Sequence, residues 1–182
     1  MSDDAHPEET IEVVFTPEQI AARIDALAAA IAKRGLKNLL VVAILKGSFI
    51  FAADLIRAFH HAGIAPEVEF MTLSSYRKGT TSTGEVTILR DIESDVAGRH
   101  VLIVDDILES GRTLAFAKDL IAARGAKSVA TCVLLEKPGM RAVAVEADFK
   151  AFDCPRVFVV GYGMDVANRY RELPFVGRLV RP

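Results

Sequence analysis

Three carboxylates, Asp105, Asp106 and Glu109, stand in the segment VLIVDDILESGRTL, residues 101–114, and Ser110, Gly111, Arg112 and Thr113 follow at once. These residue types suit a ligand that carries both hydroxyls and a phosphate. Glycine permits a tight turn, successive backbone amides form a concave anion site, and Ser110 and Thr113 add hydroxyl donors at the positive start of a helix. The carboxylates just upstream suit sugar hydroxyls or a magnesium ion, since both are partners for hard oxygen atoms. Extended neighbours point to opposite faces, so for Asp105 and Asp106 to reach one ligand the chain is expected to turn directly after Val104. An isolated "DD" or "SG" is ordinary helix-entry punctuation; the order of the whole segment is what suggests chemistry. Neither a Walker A loop nor a GxGxxG fingerprint is present, so a phosphate would be held in another style.

The elements around this segment alternate. IEVVF reads as a first strand, and Thr16-Pro17-Glu18-Gln19 then opens a helix, with Thr16 as cap, Pro17 in the first turn and Gln19 completing a capping box. Ile20, Ile24, Leu27 and Ile31 form its apolar stripe, and Gly35 ends it. NLLVVAIL is the next strand, KGS a loop, FIFAADLIRAFHHAG an amphipathic helix and VEFMTLSSY a further strand. After the polar stretch RKGTTSTGE come VTILRDI, the strand HVLIV, the helix TLAFAKDLIAARG and the strand SVATCVLL. Strands apolar on both faces and separated by helices predict an α/β fold, a parallel twisted sheet flanked by helices. Ligands of such sheets bind at the carboxyl ends of the strands, which is where Asp105 and Asp106 fall. FVVGYGMD and ELPFVGRLV suggest short extra strands in a small flap.

At 182 residues and 51% hydrophobic, the chain suits one domain with a single well-buried core. A formal net charge of -2 argues against an electrostatic nucleic-acid binder. The acidic, polar residues 1–10 read as a flexible tail without the layout of a secretory signal. LLVVAIL is far too short to cross a bilayer. Cys132 and Cys154 lack CxxC spacing and read as buried thiols, which points to a cytoplasmic protein. His60 and His61 have no third ligand near them in sequence and read as a helix-end surface pair.

VLIVDDILESGRTL resembles the phosphoribosyl diphosphate signature of the type I phosphoribosyltransferases. LKGS at 45–48, SSY at 74–76, LLEKP at 134–138, FVVGYGMD and YRELP at 170–174 resemble, in consistent order, the hypoxanthine-guanine branch of that family. The resemblance spans roughly residues 12 to 180. It implies the type I phosphoribosyltransferase fold, with a small hood from the terminal segments, about 145–182, over one domain of residues 1–182. The implied activity is that of a purine salvage glycosyltransferase, more narrowly a pentosyltransferase. It would move the 5-phosphoribosyl group of 5-phosphoribosyl 1-diphosphate (PRPP) to hypoxanthine or guanine, giving IMP or GMP and pyrophosphate.

The same resemblance implies the site. Asp105 and Asp106 would hold the ribose hydroxyls directly or through magnesium, Ser110, Gly111, Arg112 and Thr113 would cradle the 5′-phosphate, and Asp165 would ligate a second magnesium. Lys46 and Gly47 would line the pyrophosphate, with the Leu45-Lys46 peptide in the cis form; Arg141 and Arg171 would help neutralise its charge. Lys137 would reach the 6-oxo group of the purine, Phe158 would lie against the base, and Val159 would offer its backbone to the base edge. Residues 76–86 would be a mobile lid carrying Ser75 and Tyr76 over the reaction centre and excluding water. Where the family carries aspartate this chain has Glu109, the implied proton acceptor; its basicity is close to aspartate's, and its reach is one methylene longer.

Lys137 beside a 6-oxo group disfavours adenine, whereas a xanthine-preferring enzyme stays open. A nucleotide-binding RNA or transcription regulator of the same fold is the alternative from another class, and it would call for a basic face. The family implies a homo-oligomer, dimer or tetramer, with small-molecule substrates and neither nucleic acid nor membrane as partner.

Overall fold

The computed structural model describes residues 10–75 and 85–180. Its strands and helices in chain order are β1 (Thr10–Phe15), α1 (Pro17–Ala32), β2 (Leu39–Leu45), α2 (Phe49–His61), β3 (Glu67–Ser75), β4 (Val86–Arg90), β5 (His100–Leu108), α3 (Arg112–Ala123), β6 (Ser128–Glu136), β7 (Phe149–Asp153), β8 (Val159–Val160) and β9 (Val176–Val180). The expected capping box is formed: Thr16 N donates to Gln19 Oε1 at 2.9 Å and Gln19 N to Thr16 Oγ1 at 3.3 Å. Ile20, Ile24, Leu27 and Ile31 are buried as the spacing predicts.

The main sheet has the order β4-β3-β2-β5-β6-β7. All its neighbours pair in parallel except β3 and β4, which are antiparallel. β2 lies at its centre and Leu40, Val41, Val42 and Ala43 are essentially inaccessible, which explains why the segment is apolar without alternation. One face is covered by α1 and α2, forming a core with Leu27, Phe51, Leu55 and Phe59. The other packs against α3, through Leu114, Ala117 and Ile121. Burying each such side chain is worth roughly 1.5–3 kcal/mol. Cys132 and Cys154 are buried free thiols, and burial pushes both pKa values up. Among the described residues no helix is long and apolar enough to cross a membrane.

Strand order reverses beside β2: the chain leaves β2 for β3 on one side and returns to β5 on the other. Such a switch point opens a crevice at the carboxyl ends of the two strands. The residues following β2 are Lys46 and Gly47, and those closing β5 are the carboxylate segment.

The second sheet is smaller, with the order β1-β9-β8. IEVVF therefore belongs to this hood and pairs with the carboxyl-terminal strand, Thr10 opposite Val180. Residues 149–153, expected within the hood segment, instead form the edge strand β7 of the main sheet. Phe15 stacks on Phe152 with ring centroids 4.1 Å apart, joining the hood strand to that edge.

Candidate active site

β5 does not end at Val104. Its parallel ladder with β6 continues through Asp105 opposite Val133 and Leu108 opposite Glu136, so both aspartates lie within the strand. The expected turn is unnecessary because the side chains fold back: Asp106 N donates to Asp105 Oδ1 at 2.9 Å and Ile107 N to Asp106 Oδ1 at 2.8 Å. Burial raises the pKa of both carboxyls, and at Asp105 the neighbouring Asp106 charge raises it further. A cation beside them would offset the mutual repulsion of the two carboxylates.

Beyond Leu108 the chain borders an open pocket of about 140 Å³, lined by Asp105, Glu109, Ser110, Gly111 and Thr113 among others. That is room for roughly five water molecules. Gly111 opens α3 with φ of 82°, and a side chain there would meet Val145 at 2.5 Å. Ser110 Oγ accepts from Arg112 N at 3.4 Å, and the Arg112 side chain is exposed. The first turn of α3 carries no acidic residue and its cap makes no side-chain hydrogen bond. Past Arg112 N, which is engaged by Ser110 Oγ, the Thr113 and Leu114 amides face outward from the helix start toward an anion position.

Opposite this cavity stands the 45–48 loop, whose Leu45-Lys46 peptide is cis, as the resemblance implies. Lys46 is exposed. Gly47 packs against Asp106 so closely that a Cβ would lie 1.8 Å from Asp106 Oδ2. From the other side Gly163, at φ of 98°, approaches so that a Cβ would lie 2.6 Å from the Gly47 carbonyl oxygen. Ser48 Oγ donates to the Ile44 carbonyl at 2.5 Å. Arg171 closes this side: it donates to Gly163 O at 2.6 Å and pairs with Asp165 Oδ1 at 2.9 Å. Its charge also opposes the rise in the Asp106 pKa. Asp165 Oδ2 accepts from Asn168 N at 2.7 Å.

Lys137, which sequence alone would leave on the surface, is only 6% exposed. Its Nζ lies 3.4 Å from Glu109 Oε2, and its backbone N donates to Leu108 O at 3.0 Å. Phe158 is 55% exposed, with its ring uncommitted to the core, while Val159 is buried in β8 opposite Arg178. Ser75 ends β3, and Tyr76 with most of the 76–86 segment lies outside the described residues.

Arg141 departs from expectation. Rather than facing a pyrophosphate position, its guanidinium turns into the protein and donates to the carbonyls of Leu108, Glu109, Lys137 and Val145 and to the Glu136 carboxylate. Sequence reasoning also passed over Gly163 and the hydrogen bond from the Tyr162 hydroxyl to Asp54 on α2. The glycine pair in FVVGYGMD was the available signal.

For a metal, Asp105 and Asp106 form one oxygen pair, and Asp165 stands across Arg171 from them. Among the described residues no three His, Cys, Asp or Glu side chains converge into a protein cage. Magnesium keeps several waters and is held by one or two carboxylates together with substrate oxygens, which the Asp105–Asp106 pair could provide.

A parallel sheet with its site at the switch point, two aspartates above a phosphate-sized turn, and a small hood define the class. Residues 13–167 match the phosphoribosyl transferase domain, and the chain belongs to that family. Within the family, it is 43% identical to the hypoxanthine phosphoribosyltransferase of Escherichia coli K12 over 174 residues, covering 94% of this chain and 96% of that protein. The hypoxanthine phosphoribosyltransferase structure from Staphylococcus aureus superposes with a TM-score of 0.87 at 40% identity, covering 93% of this chain and 91% of that one. That from Trypanosoma cruzi superposes with a TM-score of 0.89 at 38% identity, covering 96% and 94%.

Proposed function

We propose that the protein transfers the 5-phosphoribosyl group of PRPP to hypoxanthine or guanine, giving IMP or GMP and pyrophosphate. The observation that carries this reading is the convergence at one sheet edge of the Ser110–Thr113 turn, the Asp105–Asp106 pair and the Lys137–Glu109 pair. The named activity of the relatives supports the same reading.

In this reading the turn at Ser110, Gly111, Arg112 and Thr113 binds the 5′-phosphate, and Asp105 and Asp106 orient the ribose hydroxyls. Asp105 and Asp106 would hold magnesium and Asp165 a second ion, and the metal would supply positive charge at the pyrophosphate. Lys46, Gly47 and Arg171 line the leaving pyrophosphate, where cationic groups and backbone amides stabilise the charge released as the C1–oxygen bond breaks. A purine ring nitrogen forms the new bond to C1, and its proton passes to Glu109. Lys137 donates to the 6-oxo oxygen, Phe158 stacks on the base, and the Val159 backbone reads the base edge.

The test is nucleotide formation from PRPP with hypoxanthine, guanine, xanthine, adenine and uracil in parallel, with and without magnesium. Magnesium-dependent turnover of hypoxanthine and guanine is expected. Turnover confined to adenine or uracil, or of no base, contradicts the reading. The Trypanosoma cruzi relative is one in which the role of the C-terminal region in oligomeric state and activity has been studied. For this chain a homodimer or homotetramer is the matching expectation.

A further inference from the structure

We propose that Arg141 is a positioning residue for purine recognition, a clamp that fixes the backbones of Glu109 and Lys137 relative to one another. The inference rests on the function proposed above. β5 and β6 are held together by their ladder only as far as Leu108 and Glu136, and the two residues that face the base come immediately after. From there the strands part: Lys137 keeps one backbone bond to β5, from its N to Leu108 O at 3.0 Å, and Glu109 has no partner in the ladder.

Arg141 occupies this fork. Its Nη1 donates to Leu108 O at 3.1 Å, Glu109 O at 2.8 Å and Lys137 O at 3.4 Å, and its Nε to Val145 O at 3.1 Å. The remaining nitrogen pairs with the Glu136 carboxylate, itself only 17% exposed and held from below by Lys150 Nζ at 2.8 Å. A single planar cation thereby joins the last residues of two strands and the loop on which Gly111 rests. Only a guanidinium offers five donors in a fixed fork; an ammonium at the same place reaches one or two of these carbonyls. With these donors engaged, Arg141 serves the base side of the site through Glu109 and Lys137, in contrast to the direct pyrophosphate contact that the sequence suggested.

The test is a steady-state comparison of the wild-type protein with Arg141→Lys and Glu136→Gln, in the forward reaction and in pyrophosphorolysis of IMP. Thermal denaturation of each protein accompanies the kinetics. For Arg141→Lys the expected result is a KM for hypoxanthine raised about tenfold, the effect of losing one or two hydrogen bonds to carbonyls. KM for PRPP and for pyrophosphate should stay within about twofold, because a tenfold change in either corresponds to a further 1.4 kcal/mol that the clamp does not supply. Preference for hypoxanthine over 6-unsubstituted purine should narrow, since Lys137 loses its aim. Glu136→Gln, which keeps an acceptor but removes the charge, should move the same constants less.

A raised KM for pyrophosphate or PRPP with hypoxanthine unaffected overturns the proposal in favour of direct pyrophosphate binding. Unchanged constants in both variants overturn it as well. If Arg141→Lys does not fold, Glu136→Gln alone decides between these results. An inactive wild-type protein contradicts the proposed activity rather than the clamp, so the two failures are distinguishable.

Discussion

The two halves of the site are built differently. On the proposed sugar-phosphate side, glycine backbone is packed at distances that leave no room for a side chain: Gly47 lies against Asp106, Gly163 against the Gly47 carbonyl, and Gly111 against Val145. On the proposed base side the parts are side chains, an ion pair between Glu109 and Lys137 and a largely exposed Phe158 ring. A phosphate or pyrophosphate presents the same oxygens in every substrate, so backbone amides and close-packed glycines can be fitted to it once. A base is distinguished by its edge groups, and these call for side chains that can be exchanged. The comparison teaches where a substitution acts sharply and where it acts by degrees.

The comparison is sharpest at Gly47→Ala. The new Cβ falls on the Asp106 carboxylate, which Ile107 N holds by a hydrogen bond and which Arg171 faces, so the aspartate must leave its place. A displacement of this order at a reacting centre costs about a hundredfold or more in kcat/KM. The melting temperature should change little, because the moving atoms end a side chain. A fall in stability with activity per folded molecule unchanged breaks the comparison.

At the other end is Phe158→Ala. Loss of a stacking ring from an exposed position should raise KM for hypoxanthine about two- to tenfold, the equivalent of roughly 0.5–1.5 kcal/mol. KM for PRPP should be unaltered. A larger rise for PRPP than for hypoxanthine erases the division between the halves.

Much of this was legible in the sequence because its causes are local. The Thr16 cap, the apolar stripe of α1 and the unbroken apolar run of β2 each follow from neighbours within a few residues. The segment from Asp105 to Thr113 was legible as chemistry for the same reason. What escaped was set by distant partners. β1 reads as a strand but does not reveal that it pairs with Val176–Val180, and β7 is too short and mixed to announce itself as an edge. The aspartates were expected past the strand end, but β6 extends the ladder beneath them. Lys137 resembles a surface lysine until β5 and β6 bury it. Arg141 has the right charge for pyrophosphate, and only the packing of the 137–145 loop turns it inward.

The central claim is that this edge passes a phosphoribosyl group to a purine, with Glu109 taking the proton. The most direct measurement is the turnover of hypoxanthine to IMP by Glu109→Gln at saturating PRPP and magnesium, beside the wild-type protein. The amide keeps the size and removes the basic oxygen, so turnover should fall about 10²- to 10⁴-fold. Near-full turnover in the variant would contradict the account.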